Sequence, residues 1–250
     1  MSQETVHENY EVWKAAELSK TFLEGVRGAI PLAAEQIEIV LRLVRLTQYQ
    51  VNTFLDLGCG DGILGKSIYQ YYPGAQGVFL DISETMLRSA QINLQEYLEP
   101  STFILKDMGQ SSWTDSFDSS LSFDVIVSGF AIHHQPDTRK KELYREIHDC
   151  LKPGGLFLNL EHVASRSQLG EKAFDELFID SLYSFHRDRG SQQSKEEIDR
   201  QYYNRADKTA NILSLVETQC DWLRDIGFVE VDCFMKLFEI ALFGGLREQK

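Results

Sequence analysis

The sequence predicts an α/β protein, a mostly parallel sheet with helices on both faces, finished at one edge by an antiparallel hairpin. Three observations predict it. Short apolar runs alternate with helix-period segments from residue 53 to residue 160, the pattern of strands joined by helical crossovers. The first of these runs ends in a glycine turn, Gly58-Cys59-Gly60-Asp61-Gly62. Two further runs, 229–236 and 238–243, follow each other too closely for a helical crossover and therefore pair as a hairpin.

Taken in order, residues 1–47 read as an N-terminal helical segment. Ile30, Ala33, Ala34, Ile37, Leu41 and Val44 follow the helix period, and Pro31 fits a first helical turn. Tyr10, Trp13, Phe22 and Leu23 stand in a polar setting, either as a mobile flap or as the packed face of a peripheral helix. Residues 53–57 form the first strand. A helix over 63–71 stops at Pro73-Gly74, and 76–80 is the second strand. Ser83 caps a helix with Met86, Leu87, Ala90 and Leu94 on its inner face. The third strand is 102–105 and the fourth 123–128. Asp137 caps a helix carrying Leu143, Ile147 and Leu151; Pro153-Gly154-Gly155 breaks it before a fifth strand at 156–160. Residues 165–215 are polar, with helical character and no strand signal. They read as a helical lid inserted within a single domain spanning 1–250. A helix over 217–226 ends at Gly227.

Bulk properties narrow the class. A chain of 250 residues, 43% hydrophobic and 25% charged, suits one soluble domain. No apolar run reaches the ~20 residues that span a membrane, and the first residues lack the basic-then-apolar order of a signal peptide. A cytoplasmic location is the expectation. Cys59, Cys150, Cys220 and Cys233 are scattered without a C-x-x-C pair, so free thiols and no metal site are expected. The formal net charge of -13 repels phosphate backbones and disfavours direct nucleic-acid binding. The hairpin edge leaves monomer and homodimer both open.

A glycine turn after a first strand lets a ligand approach the backbone. Residues 60–65 match G-x-G-x-x-G, and Asp81 stands where a dinucleotide site has its ribose acid. Charge separates the alternatives. Asp56 on the strand and Asp61 in the turn would oppose a pyrophosphate, whereas they suit a cationic ligand without phosphate.

With these residues in place, the sequence resembles the class I S-adenosylmethionine-dependent methyltransferases, particularly members acting on small molecules, over about residues 53–163. The run LDLGCGDG resembles their first motif, FLDIS the second-strand motif, VSGFAIHH the fourth-strand motif and LKPGGLFL the passage into the fifth strand. The resemblance implies a seven-stranded sheet of order 3-2-1-4-5-7-6, with S-adenosyl-L-methionine as cofactor and S-adenosyl-L-homocysteine as product. It places Gly58 and Gly60 against the methionine part with Asp56 beneath them. Asp81 falls on the ribose, Ile82 beside the adenine, Asp107 at its amino group and Met108 on its ring. Ser128 and Phe130 follow the fourth strand on the cofactor side, and Arg27 is a candidate for the cofactor carboxylate. Within the family, Ala131-Ile132-His133-His134 and the 217–227 helix resemble carboxy-S-adenosylmethionine synthase, which modifies the cofactor for tRNA wobble-uridine chemistry. A cofactor-binding protein without turnover also fits these motifs.

Methyl transfer to a small organic acceptor is an in-line displacement that needs alignment first, and a base only when the acceptor holds a proton. Candidates for that role follow strands four and five: His133, His134 and Glu161 as catalytic groups, His162 as a substrate contact. In the lid, Tyr183, His186 and Tyr202 are candidate substrate contacts, among aromatics such as Phe174 and Phe178 that either line an acceptor pocket or fill the lid's own core.

Overall fold

The computed structural model describes residues 11–21, 27–118, 121–205, 208 and 210–249. One seven-stranded sheet organises them in the order β3-β2-β1-β4-β5-β7-β6. The strands are β1 (Thr53–Leu57), β2 (Gln76–Asp81), β3 (Ser101–Leu105), β4 (Phe123–Gly129), β5 (Leu151–His162), β6 (Phe228–Leu237) and β7 (Ile240–Arg247). The pairs among β1 to β5 are parallel. β7 runs antiparallel to both β5 and β6, so order and hairpin are those the sequence predicts. The helices are α1 (Ala16–Thr21), α2 (Ala33–Thr47), α3 (Ile63–Tyr71), α4 (Glu84–Asn93), α5 (Asp137–Cys150), α6 (Gln168–Asp188), α7 (Lys195–Tyr203) and α8 (Val216–Ile226).

Strand period two sorts the apolar side chains into two layers. Phe54, Phe79, Val125, Val127 and Leu158 face α2, α3 and α4. Leu55, Leu80, Ile126, Phe157 and Phe243 face α5 and α8. A third, smaller cluster joins Ile179 and Leu182 of α6 to Ile198 and Tyr202 of α7 and to Ala29. Residues 165–215 therefore do bury a core of their own, while other side chains of α6 and α7 line the site described below. The four cysteines are free, and no helix among the described residues is long and apolar enough to cross a membrane.

Three local expectations are corrected. Pro31 lies before α2 rather than in its first turn, because Leu32 takes a left-handed backbone (φ 57°) and α2 starts at Ala33. Asp137 is not a cap: α5 begins at Asp137 with no side-chain cap, and its carboxylate receives Lys140 Nζ at 3.0 Å and Ser214 Oγ at 2.5 Å. Pro153-Gly154-Gly155 does not precede β5 but bulges within it, since Phe123 pairs with Leu151 and Val125 already pairs with Leu156. Ser83 does cap α4, accepting from Met86 N. Tyr10, Phe22 and Leu23 lie outside the described residues.

Gly65, in the first turn of α3, marks how closely the glycine-rich segment is pressed onto the sheet. A Cβ there would stand 2.3 Å from Phe79 Cε1 and 3.0 Å from Phe54 Cε2. Alanine is the better helix former by ~1 kcal/mol, yet overpacking costs about 1–3 kcal/mol. Gly65→Ala is therefore expected to lower the urea midpoint with the slope unchanged; a raised midpoint would show that the layer has room.

Candidate functional site

β1 lies between β2 and β4, so the chain reverses its direction of crossover there, and a crevice opens at the carboxyl ends of the strands. A cavity of about 390 Å³ occupies it. Its walls come from the loops after β1, β2, β3 and β4, from His162 at the end of β5, from α6 and α7, and from Trp13, whose ring packs 5.4 Å from that of His134.

The turn after β1 takes positive φ at Gly58 (67°), Gly60 (54°) and Gly62 (76°), which only glycine adopts without strain. A Cβ on Gly58 would stand 2.3 Å from Ala131 Cβ, whereas one on Gly60 would meet nothing within 4 Å. Gly58 and Gly60 both line the cavity. The amides of the turn are already committed inward. Gly58 N and Cys59 N donate to Leu80 O, and Gly62 N donates to Cys59 O. Gly60 N donates to Asp81 Oδ2 at 2.8 Å. A turn built this way does not cradle a pyrophosphate, which draws on such N–H groups.

The charge around the turn differs from the sequence-based expectation. Asp56 is fully buried and absent from the cavity wall. Its Oδ2 accepts from Gly65 N at 2.9 Å, satisfying an amide in the first turn of α3. Asp61 is not at the wall either. The carboxylates that line the cavity are Asp81 and Asp107. Asp81 Oδ1 accepts from Ser83 N at 2.8 Å, and burial pushes its pKa up to about 6, against these backbone bonds. Asp107 Oδ1 accepts from Gly109 N. Ile82 and Met108 stand at the wall beside them, and the Met108 carbonyl is held by Arg139. Phe130 is also at the wall, with a left-handed backbone (φ 52°) unusual for a bulky residue. Ser128 is not: it is buried in β4, and its Oγ donates to Leu57 O at 2.8 Å.

His133, His134 and His162 all reach the cavity; Glu161 does not. Glu161 is fully buried behind them. It accepts from His133 N (2.9 Å), from His162 N (2.9 Å) and from His133 Nδ1 (2.5 Å). Its candidate role shifts from catalytic group to orienting His133. With Nδ1 directed at the carboxylate, Nε2 is left for the side chain of Asn211, itself at the wall. Burial holds the His133 imidazole well below its ordinary pKa, assisted by the charges of His162, Lys140 and Arg205. Burial does the same for His134, whose Nδ1 donates to Ala210 O. Glu161 itself is raised by burial, opposed by the His162 amide and by the nearby charges of His134 and Lys140. His162 Nε2 lies 3.0 Å from Glu239 Oε2.

Of the lid candidates, His186 and Tyr202 line the cavity. Tyr183 does not; it packs in the lid cluster with Arg187 over its ring. Arg27 lies in the short turn Arg27–Ala29, and its side chain is outside the described residues. The cavity also takes Phe174, Phe178, Gln201, Arg205 and Asn211. The last three carry no periodic or motif signal in the sequence; Gln201 comes from α7, and the path of the chain past α7 brings Arg205 and Asn211 to the site.

Residues 54–155 match a family model described as a methyltransferase domain. The ribosomal RNA large subunit methyltransferase G of Shewanella loihica is 29% identical over 132 residues, 50% of this chain and 33% of that protein. The chain thus spans about a third of that relative's length. The carboxy-S-adenosyl-L-methionine synthase of Nautilia profundicola is 20% identical over 91% of both chains. Among solved structures, an O-methyltransferase family protein from Burkholderia thailandensis aligns with a TM-score of 0.64 at 16% identity, covering 98% of this chain and 62% of that one.

Asp81 makes the site's pH signature. Its folded pKa, about 6, exceeds the unfolded value near 3.9. The folded state therefore binds the extra proton between those values, and stability is lost as pH rises through the window. Relative to Asp81→Asn, the wild-type chain should lose on the order of 3 kcal/mol between about pH 4 and pH 6, with a constant difference above. Parallel stability curves across that window would contradict the burial of this charge.

Proposed function

We propose that this chain, a member of the class I S-adenosylmethionine-dependent methyltransferase family, binds S-adenosylmethionine at the turn after β1 and methylates a small organic acceptor held beneath α6 and α7. One observation carries the proposal. The turn spends its amides inward, while the buried carboxylate of Asp81 stands at the cavity wall. That pairing suits a ribose whose hydroxyls donate to Asp81 and a ligand with no phosphate. Ile82 and Met108 offer apolar surface for the adenine, Asp107 an acceptor for its amino group, and the open face of Gly60 room for the methionine part.

Bound S-adenosylmethionine supplies a methyl group on a sulfonium, an electrophile activated before it enters the site. The chain's own work is alignment and, for a hydroxyl acceptor, removal of a proton. His133 fits the second task. Glu161 fixes its Nδ1–H, burial keeps the ring neutral, and Nε2, which faces the Asn211 side chain at the cavity wall, would exchange that partner for the acceptor's hydroxyl and take its proton. A histidine oriented by a buried carboxylate is a recurrent way to build such a base. The net charge of -13 favours a small acceptor over nucleic acid.

A second reading has its own support. Similarity to the carboxy-S-adenosyl-L-methionine synthase extends over 91% of both chains, whereas the matched methyltransferase domain ends at residue 155. In that reading the cofactor itself is modified. Mass spectrometry separates the two, since one yields a methylated acceptor and the other a carboxylated cofactor.

Calorimetry with S-adenosylmethionine on the full chain should show binding, weakened at least about tenfold by Asp81→Ala, the loss of hydrogen bonds to a charged group. No binding by the folded protein would overturn the proposal. His133→Ala should keep cofactor affinity and cut methylation of a hydroxylated acceptor panel by about 10²–10⁴-fold; undiminished turnover would remove the residue from the chemistry.

A further inference from the structure

Two histidines of the cavity are backed by buried carboxylates, and the function proposed above uses only one of them. His162, the last residue of β5, places Nε2 3.0 Å from Glu239 Oε2. Glu239 stands in the two-residue turn between β6 and β7. It is buried and absent from the cavity wall. Its carbonyl accepts from Val163 N at 2.7 Å, which fastens the turn to the residue after His162 and holds the carboxylate behind the ring. The His162 amide is fixed in turn by Glu161.

The arrangement repeats that of His133 and Glu161 with the ring nitrogens exchanged. His133 turns Nδ1 to its acid and keeps Nε2, whereas His162 turns Nε2 to its acid and keeps Nδ1. Both rings line one cavity, with 5.7 Å between centroids and 67° between planes. His162 Nδ1 makes no hydrogen bond among the described residues and is not one of their fully buried unpaired atoms, so it is left for a ligand. The space beside it is aromatic. The Phe174 ring lies 5.1 Å from that of His162, and the Phe178 ring 5.7 Å from that of Phe174, a wall that suits a flat guest.

Two hydrogen bonds of roughly 2.8 Å, reaching inward from rings this close, converge on atoms near each other. Groups on neighbouring carbons of a guest ring meet that condition better than groups at its opposite ends. A hydroxyl is donor and acceptor at once, so it satisfies Nδ1 with or without a proton on that nitrogen. An ether oxygen only accepts, and an ammonium only donates. We propose that the acceptor is a flat ring with hydroxyls on two neighbouring carbons: His133 receives the one that is methylated, and His162, aimed by Glu239, holds the other. The inference rests on the function proposed above and names its acceptor class. In the transfer it implies, the proton of the first hydroxyl passes to His133 Nε2. That oxygen forms the new bond to the methyl carbon as the carbon–sulfur bond breaks, its electron pair going to sulfur. The products are a methyl ether that keeps one hydroxyl, S-adenosylhomocysteine and an imidazolium that returns its proton to water.

The test uses the full chain saturated with S-adenosylhomocysteine, titrated with 1,2-dihydroxybenzene, 1,4-dihydroxybenzene, 2-methoxyphenol and phenol. The 1,2-diol should bind at least about fivefold tighter than each of the others, the effect of one hydrogen bond. His162→Phe keeps a flat ring at the position and should bring the diol-to-phenol ratio toward one with phenol binding unchanged. Glu239→Leu should lower the same ratio. Glu239→Gln still accepts from Nε2 and should recover it, a rescue that a residue serving only the turn would not show. Phenol, 2-methoxyphenol or the 1,4-isomer binding as tightly as the 1,2-diol, no binding of that diol, or an unaltered ratio in His162→Phe would each overturn the inference. The wild-type ratio needs no variant and stays readable if the variants do not fold. S-adenosylhomocysteine binding without any diol preference defeats this inference alone. Failure to bind S-adenosylhomocysteine defeats the proposed function and this inference with it.

Discussion

A buried carboxylate has to be met by hydrogen-bond donors, and at the carboxyl edge of this sheet that requirement decides where the loops run. Three of the buried acids near strand ends each hold a loop: Asp56 on β1, Asp81 on β2 and Glu161 on β5. Each is satisfied chiefly by backbone amides. Asp56 takes Gly65 N and so fastens α3 to β1. Asp81 takes Gly60 N and Ser83 N and so ties the first turn to the second. Glu161 takes His133 N and His162 N and so locks the loop after β4 to the end of β5. Leaving such a group unmet costs several times what a typical hydrogen bond contributes, so none of these loops can drift without exposing a charge. The cavity is the space that remains between the fastened loops.

This constraint explains which parts of the site were legible in the sequence. Strand and helix spacing reflect burial on two faces of a sheet, and that periodicity is written directly in residues such as Phe54, Leu55, Phe79 and Leu80. The glycine turn and Asp81 are local and were readable for the same reason. The purpose of an acid was not readable. Asp56 and Asp61 looked like charge offered to a ligand, yet Asp56 serves α3, and the distinction depends on the direction of one side chain. Glu161 looked like a catalytic group because strand ends face the crevice, but the alternation of β5 turns it behind His133. Arg205 and Asn211 lay beyond any pattern, since long-range bonds help to place the segment that carries them.

Those bonds come from a second buried charge, of opposite sign. Lys140 on α5 is almost completely buried. Its ammonium donates to Ile212 O, Ser214 Oγ and Asp137, and Ile212 N donates in turn to His133 O. With His134 Nδ1 on Ala210 O, the strap from α7 to α8 is laced to the loop that presents both histidines. The lid is therefore attached to the candidate base through the backbone as well as through packing. Burial lowers the Lys140 pKa, opposed by Asp137, and an ammonium in that position needs every one of its three acceptors.

Ionisation then divides the site into two halves with different tasks. At the half proposed for the cofactor, burial works against the charged form of Asp81, and ligand hydroxyls donating to it would restore what burial removes. Donation from those hydroxyls would offset the cost of burying the charge, which sharpens selection for a ligand that carries them. At the half proposed for the acceptor, burial works against the charged forms of His133 and His134. Desolvation is the same physical cause in both halves. Its opposite consequences follow from the sign of the group buried, a binding acid that welcomes donors on one side and a neutral imidazole on the other.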